Sequence, residues 1–126
     1  MSDRSERNRL QRELEGLLAR ARGEGRPLEF NLDDLFDRLR TDSLARLTLL
    51  LGEMVHEGDV DLLFRVYSPT GGGLQDFATL AEIPHVIEDR FDNWREFEVT
   101  SDRVAPIYRF LPSPMPTLSR QRGCRG

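Results

Sequence analysis

His56, Glu57, Asp59 and Asp61 form the group in this sequence that could bind a metal ion or supply a general base. Imidazole and carboxylate groups are the donors that such sites use. These residues straddle the expected end of a helix, and the other histidine, His85, lies 29 positions further on. The ligand count is therefore short of a usual site, and a histidine at a helix C-terminus is favoured by the helix dipole alone. We expect no metal ion here.

Three further motifs resemble catalytic or binding motifs. Asp33, Asp34 and Asp37 could act as paired carboxylates, but acidic residues also stabilise the start of a helix, and Asp37 fits a solvated face. The three glycines at 71–73 lack the Lys-Ser/Thr that completes a phosphate-binding loop. Cys124, the single cysteine, has no neighbouring base and can form neither an internal disulfide nor a thiolate cluster. The sequence predicts neither an enzyme nor a cofactor.

All eighteen basic residues are arginine, which excludes Schiff-base chemistry and a phosphate-loop lysine. Their distribution is uneven: residues 1–26 carry seven arginines and five acidic residues, and residues 27–102 carry six and seventeen. Residues 103–126 carry five arginines and no acidic residue. An acidic middle segment repels phosphate backbones, whereas basic ends attract them weakly.

Three amphipathic helices are expected in the first half of the chain, and they would position the candidate residues named above. Helical spacing predicts the first over residues 5–22, followed by a short edge strand at 26–30. Asn31 is the expected N-cap of the second helix, and residues 41–43 form a turn that caps a third helix over 44–56. The expected buried residues are Leu10, Leu14, Leu17, Leu18 and Ala21 in the first helix, Leu32, Leu35, Phe36 and Leu39 in the second, and Leu44, Leu47, Leu51, Met54 and Val55 in the third.

Strands dominate the rest of the chain. Residues 59–68 read as a strand with Val60, Leu62, Phe64 and Val66 on one face, and 69–73 as a mobile turn. A second strand covers 104–111, where a proline restricts it to a sheet edge or a bulge. The intervening insert, 74–103, should contain a one-turn helix at 79–82 and short strands at 86–87 and 97–99. We expect the rings of Phe91 and Trp94 in this insert to pack locally. The proline that restricts the second strand to an edge or a bulge is Pro106.

The length of 126 residues suits one domain, which we place at residues 5–111, with a disordered basic tail at 112–126. No apolar run approaches the ~20 residues that span a bilayer. The charged N-terminus lacks the apolar core of a secretory signal. We therefore expect a cytoplasmic protein with no membrane partner.

The order helix, short strand, helix, tight turn, helix, strand, long insert, strand resembles the winged helix-turn-helix superfamily, in a bacterial, long-wing variant. The resemblance covers residues 10–68 and 104–111 and implies an α+β fold with three helices and an antiparallel β wing. The segments 65–69 and 107–110 also resemble small modules of multi-component bacterial systems, some of them linked to defence.

The superfamily's main activity is duplex binding, with the third helix in the major groove. The resemblance implies that Arg46 would contact a base edge in this groove and that Ser43 and Thr48 would contact phosphates. Glu53 and Glu57 on the same helix oppose it, because a specific DNA interface is expected to be strongly positive. A DNA-binding transcriptional regulator is therefore the alternative function, and DNA is a disfavoured partner.

The function expected first is a non-enzymatic protein-interaction module, an adaptor or small subunit of a bacterial complex. An outward Leu49 beside Ala45 would offer a small apolar surface to a partner protein, although packing of Leu49 under the first helix is an equal alternative. The residues expected to bind this partner, on the outer face of the third helix and in the wing, are Ala45, Arg46, Leu49, Glu53, Arg90 and Trp94.

Overall fold

The computed structural model describes residues 3–114. It is a mixed α+β structure with three α-helices, a four-stranded antiparallel sheet and a separate two-stranded hairpin. The expected disorder of the tail falls mainly on residues 115–126, which lie outside the described residues. Among residues 3–114, no helix combines the length and the apolar composition that crossing a bilayer requires.

The elements follow one another in nearly the expected order. The helices are α1 (Asp3–Glu24), α2 (Leu32–Leu39) and α3 (Leu44–Glu57), and the strands are β1 (Leu28–Asn31), β2 (Val60–Tyr67), β3 (Gly73–Phe77), β4 (Val86–Asp89), β5 (Arg95–Glu98) and β6 (Val104–Phe110). Single 3-10 turns cover Leu80–Glu82, as predicted, and Ser101–Arg103. The sheet order is β1-β6-β2-β3, and β4 pairs with β5.

The described chain forms two compact units, whose boundary falls within β2 and β6. Residues up to 61 and from 108 onwards make up a helical unit, and residues 62–107 make up a hairpin unit. The predicted insert, 74–103, belongs to the hairpin unit.

The helices form where amphipathic spacing and capping agree. All five predicted apolar residues of α1 are buried, because they recur every three or four positions along one face. The Asn31 side chain accepts the Asp34 N–H at 2.7 Å and so caps α2, and Ser43 Oγ accepts the Arg46 N–H at 3.1 Å and caps α3. Gly58 ends α3 with a φ of +86°, a left-handed conformation that glycine adopts without strain. These caps confirm the predictions.

The buried face of α3 differs from the prediction at its first residue. Leu47, Leu50 and Leu51 are buried, whereas Leu44 is 47% exposed. The expectation that Leu44 faces inward was wrong because the buried stripe begins one turn later, and Leu50, which was not predicted, extends it. In α2, Leu35 and Leu39 are buried as predicted, and Leu32 and Phe36 are half-buried.

The strand predicted over 59–68 is confirmed as β2, but burial along it does not follow the predicted alternation. Its buried residues are Val60, Leu63 and Val66, three positions apart, while Leu62 and Phe64 are half-buried. Side chains two apart share a face of a strand, so Leu63 is buried on the face opposite to Val60 and Val66. A strand that is covered on both faces has no alternating pattern to detect.

Strand β3 was not predicted. It pairs antiparallel with β2 in the register Phe64↔Phe77, Arg65↔Asp76 and Val66↔Gln75. A sequence of Gly-Leu-Gln-Asp-Phe has a low strand propensity. The cross-strand ion pair between Arg65 Nε and Asp76 Oδ1, 2.7 Å long, stabilises the pairing instead. The expected mobile turn is held by a hydrogen bond from the Ser68 N–H to the Gly72 carbonyl, 2.8 Å.

Pro106 was predicted to place its strand at a sheet edge or at a bulge, and the edge was wrong, because β6 lies between β1 and β2. Strand β1 has four residues and β6 has seven, so β1 cannot cover the whole of one side of β6. A residue without an N–H is tolerated where one side of a strand has no ladder partner.

Candidate functional site

The six residues expected to bind a partner fall on two separate surfaces, one in each unit. Ala45, Arg46, Leu49 and Glu53 lie on α3 in the helical unit, and Arg90 and Trp94 lie in the loop between β4 and β5 in the hairpin unit. We describe each surface by itself.

The outer face of α3 carries the predicted exposed leucine. Leu49 is 56% exposed, so the alternative that it packs under α1 was wrong. Ala45 is exposed as well. Beside them Thr48, Leu49, Gly52, Glu53, His56 and Glu57 line a shallow depression of about 400 Å³. The apolar part of this face is therefore small.

Two charged groups of α3, Glu53 and Arg46, are engaged within the protein. Glu53 forms a 3.3 Å ion pair with Arg7 of α1. The pKa of Glu6 is lowered, chiefly by the hydrogen bond from Arg9, with a further contribution from the charge of Arg46. Arg46 is half-buried, and its positive charge is partly balanced by this carboxylate.

The two hydroxyl groups predicted to contact phosphates are also engaged. Ser43 Oγ caps α3, and Thr48 Oγ1 donates to the carbonyls of Leu44 and Ala45 at 3.0 Å. To donate to a phosphate, the Thr48 hydroxyl would have to give up these bonds, whereas the cap of α3 uses Ser43 Oγ as an acceptor and not as a donor.

The second surface is the loop of residues 89–95, which we call the aromatic loop. It is organised around Asp89, which is 3% exposed. The Asp89 carboxylate accepts the Phe91 N–H at 2.9 Å, and its backbone carbonyl accepts the N–H groups of Asp92 and Trp94 at 3.0 and 2.8 Å. One buried residue thus fixes the backbone at three positions of the loop.

The same carboxylate ties the aromatic loop to the turn between β2 and β3. Ser68 Oγ donates to Asp89 Oδ2 at 2.5 Å and accepts the Thr70 N–H at 3.0 Å. Ser68 is fully buried. Buried polar groups with satisfied hydrogen bonds rigidify their surroundings, so the turn and the loop form one hydrogen-bonded unit.

The aromatic residues of the loop are exposed. Trp94 is 63% and Phe91 is 53% exposed, and Asn93 and Trp94 have φ values of +53° and +61°. Left-handed backbone at a tryptophan is unfavourable by about 1 kcal/mol or more and persists only where the surroundings impose it. The expectation that both rings pack locally was wrong for Trp94, because the hydrogen bonds of Asp89 set the backbone conformation at this position.

Phe91 and Arg90 brace the loop. The Phe91 ring lies against Gly72, where an added Cβ would come within 2.6 Å of its Cε2 atom. The Arg90 guanidinium stacks on this ring, 4.7 Å from its centroid, and donates to the carbonyls of Gly73 and Leu74 at 2.9 Å. Arg90 therefore supports the loop through bonds to β3.

Sequence reasoning missed Asp89 and Ser68, which build this surface, and two exposed apolar residues of the same unit, Leu80 and Val86. Aspartate often begins a turn in which its side chain accepts the backbone N–H two residues later, so Asp89 could have been found from the sequence. The partner Ser68 lies 21 residues earlier and carries no comparable signal.

No protein-family model, curated protein or solved structure matches this chain. Within residues 3–114, no group of three or more His, Cys, Asp or Glu side chains is arranged to hold a metal ion. The candidate site is therefore the exposed aromatic loop, assigned from its own geometry.

Proposed function

We propose that this chain is a non-enzymatic winged-helix protein-interaction module, an adaptor or small subunit of a bacterial multi-component complex. The order α1-β1-α2-α3-β2 supports the winged-helix assignment. So does the sheet order, because β6 lies directly beside β2, as the two strands of a wing must. The intervening β3, β4 and β5 are then an elaboration of the wing.

The observation that carries the proposed function is the exposure of Trp94 on a backbone that buried hydrogen bonds hold in place. Tryptophan is enriched among the residues that contribute most to the free energy of protein binding. An aromatic anchor that is already fixed in position loses little conformational entropy when it binds. The aromatic loop has both properties.

The charge around the loop defines the chemistry of the partner. Residues 62–107 contain eight acidic residues and four arginines. Three of these arginines are engaged: Arg65 with Asp76, Arg95 with Asp92, and Arg90 with backbone carbonyls. The expected partner is therefore a protein with an apolar cleft that accepts the indole and with basic side chains around that cleft.

Site-specific photocrosslinking in cells that express the chain tests this proposal. A benzophenone amino acid replaces Trp94 in one variant, Leu49 in a second and Arg12 in a third. Arg12 is an exposed residue of α1 and serves as the matched control. We expect a discrete protein adduct from position 94, identified by mass spectrometry, and none of the same mass from position 12.

The variant Asp89→Ala provides a second control, because it removes the carboxylate bonds to Ser68 Oγ and the Phe91 N–H and keeps only the backbone carbonyl that accepts the Trp94 N–H. The adduct from position 94 should weaken in that background. Adducts of identical mass from positions 94 and 12, or none from position 94, would contradict the proposal. An adduct from position 49 alone would contradict the proposal for the aromatic loop and would indicate that α3 carries the binding surface.

The alternative, a DNA-binding regulator that uses Ser43, Arg46 and Thr48, makes a different prediction. Binding through arginine–phosphate contacts weakens steeply with salt, with a slope of about −0.9 for each phosphate neutralised. Fluorescence anisotropy of a mixed-sequence duplex at ~50 mM salt would detect such binding. Binding that persists at physiological salt and is lost in Arg46→Ala would favour this alternative.

A further inference from the structure

A groove of about 510 Å³ runs between α1 and the C-terminal half of α3. Its floor is apolar: Leu14, Leu18 and Leu50 are buried, and Met54 is half-buried. The floor and borders of this groove, which we call the acidic groove, lie within the helical unit.

The borders carry an excess of negative charge. Glu15, Glu53, Glu57 and Asp59 line the groove with a single arginine, Arg22. Asp59 is paired with Arg22 at 2.8 Å and Glu53 with Arg7. Among residues 3–114, Glu15 and Glu57 form no ion pair with an arginine, and Glu15 accepts only a long 3.4 Å hydrogen bond from Gln11.

The chain leaves the last strand beside this groove. The N–H of Leu111, just after β6, donates to the carbonyl of Asp59 at 3.0 Å, and Asp59 is one of the groove residues. The fifteen residues after Leu111 can span up to ~50 Å when extended. Helix α3, at fourteen residues, is ~21 Å long, so the segment reaches every part of the groove.

The composition of that segment complements the groove. Residues 112–126 contain Arg120, Arg122 and Arg125 and no acidic residue. Met115 and Leu118 are apolar and stand three positions apart, so they are the side chains of this segment that suit an apolar floor. Because the segment is covalently attached, its effective concentration at the groove is on the order of millimolar, and weak contacts suffice to populate the docked state.

We propose that residues 115–126 dock in the acidic groove of the same chain, with Met115 and Leu118 on the apolar floor and the arginines against Glu15 and Glu57. The docked segment is an internal ligand that a basic partner segment has to displace before it can bind this groove. This inference does not rest on the proposed function, because the aromatic loop and the acidic groove share no residue.

Cys124 is the single cysteine of the chain, so a nitroxide spin label can be attached there in the full-length protein. Paramagnetic broadening of ¹⁵N-labelled backbone amides then reports where the segment lies. At ~10 mM salt, where charges interact over about 30 Å, the amides of Glu15, Leu18, Met54 and Glu57 should lose most of their intensity. At ~1 M salt, where the screening length is about 3 Å, most of that intensity should return.

Charge variants test the contacts. The double variant Glu15→Gln/Glu57→Gln should restore the groove amides at low salt, and so should the double variant Arg120→Gln/Arg122→Gln in the segment itself. The matched control is Glu88→Gln/Glu96→Gln, which removes the same charge from an exposed cross-strand pair of the β4–β5 hairpin and should leave the broadening unchanged.

Three outcomes would overturn the inference. The first is the absence of broadening from the groove at low salt, and the second is broadening of equal strength in the control and groove variants. The third is broadening that arises when the spin label and the ¹⁵N label are on different molecules, since this would place the segment of one copy in the groove of another.

Discussion

Asp89 illustrates how a single buried carboxylate can define a surface. Its carboxylate accepts hydrogen bonds from Ser68 Oγ and the Phe91 N–H, and its backbone carbonyl accepts the Trp94 N–H. Together these bonds hold Trp94 in an exposed position that its hydrophobicity alone would not predict. The exposed indole is a consequence of polar contacts beneath it.

Substitution of Asp89 should destabilise the fold in a graded way. Asp89→Ala leaves the Ser68 hydroxyl and the Phe91 N–H without their acceptor, and we expect the free energy of unfolding to fall by about 1–3 kcal/mol. Asp89→Asn keeps one acceptor oxygen and should lose less. Urea unfolding followed by circular dichroism measures both, and equal stability of Asp89→Ala and the unaltered protein would contradict the role given to this carboxylate.

Tyr108 gives the protein a specific sensitivity to alkaline pH. Burial raises the pKa of its hydroxyl above the ordinary value of 10.0, because a buried phenolate is poorly solvated. The folded state therefore retains a proton that the unfolded state releases. The resulting stability is fully present below pH ~10 and is lost as the pH rises towards the higher folded-state pKa.

Since the chain has no lysine, few other groups titrate in this range. We expect Tyr108→Phe to flatten the decline in stability above pH ~10, as measured by urea unfolding at a series of pH values. Tyr67→Phe is the matched control and should leave the decline in place. A decline that is unchanged in Tyr108→Phe would show that another group causes it.

At the scale of elements, the β2–β3 turn and the aromatic loop are fitted to each other through Gly72 and Phe91. A methyl group at position 72 would lie 2.6 Å from the Phe91 ring, so Gly72→Ala must displace the ring, at a cost of about 1–3 kcal/mol. The double variant Gly72→Ala/Phe91→Ala should recover part of this loss. Thermal unfolding of the single and double variants measures the coupling.

Gly71→Ala is the control for this cycle. Gly71 has a φ of +108° with nothing within 4 Å of an added Cβ, so its substitution strains the backbone and not the ring contact. The loss in Gly71→Ala should therefore persist when Phe91 is also replaced. Equal rescue of both glycine variants would mean that the ring contact is not the cause.

The sequence predicted the helices well and the hairpin unit poorly, for a physical reason. The helical signals are local: the leucine stripe of α1 and the caps at Asn31 and Ser43 act within a few residues of themselves. The pairing of β3 depends on Arg65 and Asp76, eleven residues apart, and the loop depends on Ser68 and Asp89. Such contacts exist only after the chain has folded, so composition and periodicity do not reveal them.

The candidate site was predicted in part. Helical spacing left two equal alternatives for Leu49, exposed or packed under α1, and the structure places it exposed on the outer face of α3. The aromatic residues 91 and 94 were identified, but their exposure was not, since large apolar side chains are usually buried.

At the scale of the whole molecule, the arrangement of charge is one reason why we propose a protein partner and not nucleic acid. Ion pairs with carboxylates engage many of the arginines, including Arg7, Arg9, Arg20, Arg22, Arg65 and Arg109. Each exposed pair contributes little to stability, but each of these guanidinium groups would have to leave its carboxylate to contact a phosphate.

The central claim is that Trp94 anchors a protein partner, and the most direct test is the affinity of that partner once crosslinking has identified it. Isothermal titration calorimetry would compare the unaltered chain with Trp94→Ala and with the control Arg12→Ala. A hot-spot residue contributes 2 kcal/mol or more, so we expect Trp94→Ala to weaken binding about 30-fold or more and Arg12→Ala to leave it nearly unchanged. Equal affinity of Trp94→Ala and the unaltered chain would contradict the claim.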